Sequence, residues 1–198
     1  VYASLGSKVT AVEALPNIAN GADADLVRPL EKRLSSLFKA IHKSSKVLSL
    51  KDNGSKVEAS FESEGKTITG LFDRVLLSIG RRPNSENLGL EKAGVQVSER
   101  GFIVSNPRTL QTSAPHIYAI GDVIGNPMLA HKSSAESKVA VERILGKKTE
   151  FEPIGIPGVI YTDPEIAWVG LTETEAKAKN IAYQIGKFPW AASGRATS

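Results

Sequence analysis

The run Ile117-Tyr118-Ala119-Ile120, set behind Pro115 and ending in Gly121-Asp122, constrains this chain more than any other stretch. Four successive apolar or aromatic residues without polar alternation read as a short strand inside a sheet covered on both faces, the pattern of a parallel α/β sheet. A glycine at the strand's carboxyl end removes the β-carbon where a ligand must pass close to the backbone. The carboxylate after it accepts hydrogen bonds and donates none, which suits sugar hydroxyls. The same residues also describe an ordinary tight turn, so the flanking sequence has to separate the two readings.

A loop follows, Val123-Ile124-Gly125-Asn126-Pro127, and residues Met128 to about Gly146 then read as a helix. Ala135, Val139, Ala140 and Ile144 supply a packing face, Glu136, Lys138, Glu142 and Arg143 fill the other, and Gly146 is a C-terminal stop. The first turn of such a helix presents backbone N–H groups and a positive dipole end to a negative or strongly polar group. Met128 and Leu129 fit core packing at the helix entrance even where the backbone beside them meets a ligand.

Upstream, Lys8 to Glu13 alternates and ends on an acid, as the second strand of a nucleotide-binding βαβ unit does. In such folds that acid hydrogen-bonds the ribose hydroxyls and repels the extra phosphate of NADP. No arginine follows at once, Ala14-Leu15-Pro16 coming instead, so Glu13 points to NAD; its alternative is a plain polar strand end. Asp23 or Asp25 caps a helix from about Leu26 to Phe38 with apolar positions Leu26, Leu30, Leu34, Leu37 and Phe38. Pro29 is tolerable within the first turn and kinks the helix if it falls further inside. Strands from Ser45 to Leu50, Lys56 to Phe61 and Lys66 to Leu71, the first two joined by Asn53-Gly54, make an antiparallel meander. Asp73 to Ile79 reads as a buried parallel strand that turns sharply at Gly80, with Arg81 either near phosphate groups or fixing the loop and Arg82 a surface residue.

The 198 residues, 41% of them hydrophobic, can build a sizeable core in one or two domains. A formal charge of +4 is spread without a dense basic block, so no nucleic-acid partner is expected. No apolar run reaches the length of a membrane span, and no His, Cys or acidic cluster has metal-ligand spacing. With 0 cysteines the chain cannot itself exchange thiol for disulfide. Pro153-Ile154-Gly155-Ile156-Pro157-Gly158 reads as a linker, and Thr172-Glu173-Thr174-Glu175 as a capping box opening a short helix through Lys179. Trp168 and Trp190 read as core aromatics. Val1 to Gly6 reads as a helix tail closed by glycine.

Four stretches carry a resemblance. They are Gly80-Arg81-Arg82-Pro83-Asn84, the run from Tyr118 to Lys132, Tyr161-Thr162-Asp163-Pro164-Glu165-Ile166-Ala167-Trp168-Val169-Gly170-Leu171-Thr172-Glu173, and Phe188-Pro189-Trp190-Ala191-Ala192-Ser193-Gly194-Arg195-Ala196. Together, in order and across essentially the whole chain, they resemble the dihydrolipoamide dehydrogenase family of flavin-dependent pyridine nucleotide-disulfide oxidoreductases. Glutathione and mercuric reductases share the Gly-Asp strand and the Val-Gly-Leu-Thr-Glu ending; the Glu-Ile-Ala-Trp-Val and Pro-Trp-Ala-Ala-Ser-Gly-Arg-Ala stretches favour the lipoamide enzymes. After His131-Lys132 the family often shows an acid and then glycine within two turns, whereas this chain reads Ser133-Ser134-Ala135-Glu136-Ser137-Lys138.

The resemblance implies an α/β fold in three parts. Residues 1–84 would be the C-terminal part of an NAD-binding Rossmann-like domain, 85–151 the central part of an FAD-binding domain, and 152–198 the start of an α+β dimer-interface domain. It implies that Glu13, Val47 through its backbone, Gly80 and Arg81 meet NAD. Asp122 with Met128, Leu129, Ala130 and His131 would meet FAD, His131 through its backbone and without a catalytic role. No catalytic residue is assigned. The family's redox cysteine pair and first glycine-rich fold would lie upstream, and its His/Glu acid-base pair downstream, so the chain is expected to be an internal piece, inactive alone. The implied whole is a homodimer in the cytoplasm, or in the mitochondrial matrix of a eukaryote. It would oxidise dihydrolipoamide carried by the acyltransferase of a 2-oxoacid dehydrogenase complex. Two alternatives stay open: another flavin disulfide reductase, or a non-catalytic nucleotide-binding or assembly module. Purified protein of this length is expected to hold little or no flavin, and a visible-absorption spectrum with stoichiometric flavin bands contradicts that expectation.

Overall fold

A computed structural model describes residues 1–197. In chain order its elements are strand β1 (Thr10–Val12), helix α1 (Ala24–Leu37), β2 (Ala40–His42), β3 (Lys46–Asp52), β4 (Val57–Ser63), β5 (Lys66–Phe72), α2 (Ala130–Ile144), β6 (Gly158–Ile160), β7 (Ile166–Trp168) and α3 (Glu173–Ala178). They divide into two units, one holding residues 1–75 together with the chain from Pro157 onward, the other Leu76–Ile156. No helix among the described residues is long and apolar enough to cross a membrane.

In the first unit β1, α1 and β2 form a βαβ crossover, with Thr10 to Val12 paired in parallel to Ala40 to His42. Asp23 is the N-cap of α1, and its carboxylate accepts the backbone N–H of Glu173 at 2.9 Å instead of capping its own helix. Asp25, in the first turn, meets the Lys187 ammonium at 2.7 Å, and that hydrogen bond holds its carboxyl below the ordinary range. Pro29 is the sixth helical residue, past the first turn, and the helix runs through it to Leu37. The inward stripe is Val27, Leu30, Leu34 and Leu37; Leu26, expected to face the core, is 42% exposed because one residue of offset turns it 100° away.

The meander forms as the turn chemistry dictates, in the order β3-β4-β5 with antiparallel registers. Asp52 accepts the N–H of Gly54, which has φ +86°, and Glu64 and Gly65 both take positive φ in the two-residue β4–β5 turn. Alternation puts Ala59, Phe61 and Ser63 of β4 inside. Phe61 lies against the His42 ring at 4.8 Å between centroids, joining meander to crossover.

The chain from Pro157 packs against α1. Ile166 of β7 is buried with Val27 and Leu30, with Ile160 and Trp168 against them. Trp168 is the core aromatic expected, whereas Trp190 is 77% exposed; its neighbours form only a 3-10 turn that offers no cover. The capping box forms: Thr172 Oγ1 accepts the Glu175 N–H at 3.2 Å, and Glu175 accepts the Thr172 N–H at 3.0 Å. At the start, Gly6 at φ +94° closes a helical turn, with Gly6 donating to Ala3 and Ser7 to Tyr2.

The second unit departs from the sequence reading. Asp73 to Ile79 was expected as a buried parallel strand, but none of its residues belongs to a ladder, and Leu76, Leu77 and Ile79 are 72%, 64% and 92% exposed. An apolar run becomes a parallel strand only when neighbouring strands take its N–H and C=O groups, and no described strand lies beside it. Ile117 to Ile120 likewise forms one bridge, Tyr118 to Gln111, rather than a strand. Its backbone is satisfied by single bonds, such as Ala119 N–H to Leu110 at 3.0 Å. A small core of Val95, Ile103, Ala114 and Ala119 holds this region. Gly146 ends α2 as expected, with Gly146 donating to Arg143 and Lys147 to Glu142.

Gly158 faces the Trp168 ring across β6 and β7, and a β-carbon there would come within 2.6 Å of the indole. Gly158→Ala is expected to destabilise the protein by about 1–3 kcal/mol, the usual penalty for overpacking. Denaturant unfolding followed by tryptophan fluorescence measures it.

Candidate functional site

The Gly121-Asp122 turn and the start of α2 meet in the second unit. Ile120 is extended, Gly121 turns at φ +78°, and Gly121–Ile124 makes one 3-10 turn, which Gly125 closes by donating to the Asp122 carbonyl at 3.2 Å. A β-carbon on Gly121 would lie 2.8 Å from Ser133 Oγ and 3.3 Å from Ser133 Cβ. The turn is therefore seated directly on the first turns of α2. The N-cap of α2 is Leu129, which has no side-chain acceptor, and the first turn carries no acidic residue. That helix start suits a polar or negative group supplied from outside the chain.

Asp122 is half-exposed, and its Oδ2 accepts from Arg81 Nη1 at 3.2 Å. An exposed pair of this kind contributes little to stability, so the carboxylate remains available to a better donor. An open depression beside it is bordered by Gly80, Arg81, Phe102, Ile124, Gly125 and Met128. Gly80, at φ +129°, has nothing within 4 Å of where a β-carbon would sit. The structure thus brings Gly80, Arg81, Asp122, Met128, Leu129, Ala130 and His131 into one unit. On sequence Arg81 belonged with the nicotinamide group of residues; its bonded partner is Asp122.

Glu13 and Val47 belong to the other unit. Glu13 follows β1 directly; its Oε1 accepts the Leu15 N–H at 2.8 Å, its N–H donates to His42 and its carbonyl accepts from Ser45. Val47 pairs with Phe61 beside a β-bulge at Leu48 and is 45% exposed.

Sequence reasoning missed two residues. Glu136 was placed on the solvent face of α2 and Ala135 and Ile144 on the packing face; instead Lys132, Glu136 and Ala140 are the buried stripe, and Ala135 and Ile144 are exposed. The cause is that the Gly121 turn gives the Glu136 carboxylate a donor to be buried against, with Lys132 on the same stripe as its counter-charge, which an apolar periodicity cannot register. Glu136, 1% exposed, accepts the Gly121 N–H through Oε2 at 2.7 Å and has Lys132 Nζ 2.8 Å from Oε1. Lys132 Nζ is buried beside this carboxylate and pairs with it as an i, i+4 salt bridge. The i, i+4 spacing of opposite charges was the available signal.

Residues 1–137 match the model of the pyridine nucleotide-disulphide oxidoreductases. The chain belongs to that family. Residues 156–198 match the family's dimerisation domain. The chain is 46% identical over 197 residues to a dihydrolipoyl dehydrogenase of Vibrio parahaemolyticus, covering 99% of this chain and 41% of the relative. To a dihydrolipoyl dehydrogenase of Haemophilus influenzae it is 44% identical, with the same coverage of 99% and 41%. Among solved structures it is similar to LpdA from Mycobacterium tuberculosis, with TM-score 0.86 and 27% identity over 99% of this chain and 42% of that one. The flavoprotein disulfide reductase RclA from Escherichia coli gives TM-score 0.82 and 27% identity, covering 98% and 44%. The chain thus spans about two-fifths of the length of these relatives. Family membership and the mixed α/β fold agree with the sequence resemblance.

Gly121→Ala forces an L-residue into left-handed backbone at cost of about 1–2 kcal/mol, and adds a contact with Ser133. The unfolding free energy from denaturant titration is expected to fall by that amount. Gly121→Ala with Ser133→Gly should recover only a minor share, because the backbone conformation dominates.

Proposed function

We propose that this chain is part of a dihydrolipoyl dehydrogenase that uses FAD and NAD, the whole enzyme oxidising protein-bound dihydrolipoamide and delivering the electrons to NAD. The observation that carries the reading is 46% identity to such an enzyme across 99% of the chain. The residues present support it: an acceptor-only carboxylate at Asp122 and an α2 start whose N-cap, Leu129, has no side-chain acceptor fit the hydroxyls and polar ring edge of a flavin nucleotide, and an approachable backbone at Gly80 fits the nicotinamide nucleotide. When bound, the flavin supplies two-electron transfer between a dithiol and a nicotinamide.

This chain's residues bind and orient. Asp122 accepts from the polyol hydroxyls, exchanging its exposed bond to Arg81 for them. Met128, Leu129, Ala130 and His131 line the ring side, with backbone N–H groups and the helix dipole favouring negative charge there. Glu13 takes the adenine ribose hydroxyls of NAD and repels the phosphate of NADP. Val47 offers backbone beside the adenine, and Gly80 and Arg81 border the nicotinamide nucleotide. Residues 1–84, 85–151 and 152–198 serve as NAD-binding, FAD-binding and dimer-interface parts. The last belongs to a homodimer, consistent with its match to a dimerisation domain. The partner that brings the substrate is the lipoyl-bearing acyltransferase of a 2-oxoacid dehydrogenase complex, in the cytoplasm or the mitochondrial matrix.

The test is the complete reading frame carrying this chain, purified and assayed with dihydrolipoamide and NAD, and separately with glutathione disulfide or Hg(II) and NADPH. Turnover with the first pair alone is expected; turnover confined to the others overturns the reading. Asp122→Ala should weaken FAD binding by about 10- to 100-fold, the range for hydrogen bonds to a charged acceptor.

A further inference from the structure

We infer that the buried Lys132–Glu136 pair is a positioning device for the flavin site, holding the Gly121 peptide so that Asp122 is presented in the binding orientation; the inference rests on the proposed role of Asp122. Three observations converge. Glu136 Oε2 takes the Gly121 N–H at 2.7 Å, a short charge-assisted bond, at the residue immediately before Asp122. Gly121 sits in left-handed backbone, where a glycine has wide conformational freedom and needs an external hold to keep one orientation. The side chains that supply the hold are withdrawn from water, at 2% exposure for Glu136 and 6% for Lys132.

Stability does not account for such a pair. Taking two charges out of water costs more than their attraction usually returns, and well-packed apolar replacements are commonly neutral or better. The Lys132 ammonium, 2.8 Å from Glu136 Oε1, is a second desolvated charge that adds to this cost. What an apolar pair could not supply is an acceptor aimed at the Gly121 N–H. Lys132 supplies the counter-charge that lets Glu136 reside there, approaching Oε1 while the Gly121 N–H donates to Oε2. Glu136 and Lys132 are therefore positioning residues that act through the peptide of Gly121 and not by touching the cofactor.

The experiment uses the holoenzyme encoded by the complete reading frame, stripped of flavin and titrated with FAD, the dissociation constant being read from flavin fluorescence. Lys132→Met with Glu136→Leu removes charge and acceptor together at similar volume. Lys132→Met with Glu136→Gln removes the charges but keeps a carbonyl acceptor for Gly121. The first is expected to weaken FAD binding by about 10-fold or more, with the apoenzyme Tm close to the parent's, and the second to restore most of the affinity. Adding Asp122→Ala to the Met/Leu variant should weaken binding no further than Asp122→Ala alone, because both act on one contact. Where the Met/Leu variant fails to accumulate, Glu136→Asp replaces it: the shorter arm withdraws from Gly121 while the counter-charge stays, and the same loss is expected. Parent-like affinity in the Met/Leu or Asp variant, or full additivity with Asp122→Ala, overturns the positioning role while leaving the role of Asp122 standing. Parent-like affinity in Asp122→Ala alone overturns both.

Discussion

A carboxylate removed from water must be met by donors, and Glu136 is met by the Gly121 N–H and the Lys132 ammonium. Much of the second unit is arranged around that demand. The first turns of α2 are drawn against the 3-10 turn at Gly121–Ile124 closely enough that Ser133 crowds the place of a glycine β-carbon. Asp122, one residue on, and Met128 to Ala130, at the helix entrance, consequently share a rigid neighbour. A fluctuating loop cannot hold a carboxylate to the tolerance that recognition of a polyol demands; a loop bonded to a helix interior can.

The first unit is held together by apolar contact between segments far apart in the chain. Strands of three residues, as in β1 and β2, have few ladder bonds to keep them in place. They belong to a unit whose core forms where Ile166 and Trp168, more than a hundred residues later, pack around Val27 and Leu30 of α1. Phe61 against His42 ties in the meander. Glu13 stands at a strand end whose N–H and C=O are both bonded, and Val47 beside a β-bulge of the meander.

Elements governed by neighbouring residues were legible in the sequence. The meander follows from alternation and from Asn53-Gly54, the short helix α3 from the Thr172 and Glu175 spacing, and the end of α2 from Gly146, since the turn and cap bonds that set them span six residues or fewer. The βαβ crossover was half legible: β1 and α1 were readable, whereas β2, three residues without a pattern of its own, was not. Of the candidate site, Asp122, the α2 start, Gly80 and Arg81 were identifiable one by one, but the bond between Arg81 and Asp122 and the whole contribution of Glu136 were invisible.

The failures share one physical cause. A continuous apolar run states that a segment can be buried; whether it becomes a strand depends on partners elsewhere, and Asp73 to Ile79 has none among the described residues. Leu110 is fully buried at φ +63°, a conformation its side chain opposes, because surrounding contacts outweigh the local preference. By itself, then, the amino-acid order determined the local menu: where helices cap and stop, which hairpins close, and which glycine and acid make the turn before α2. Only tertiary packing decided that a lysine and a glutamate one helical turn apart would be buried under Gly121, because the energy that places charges inside a protein comes from groups the chain brings together from a distance.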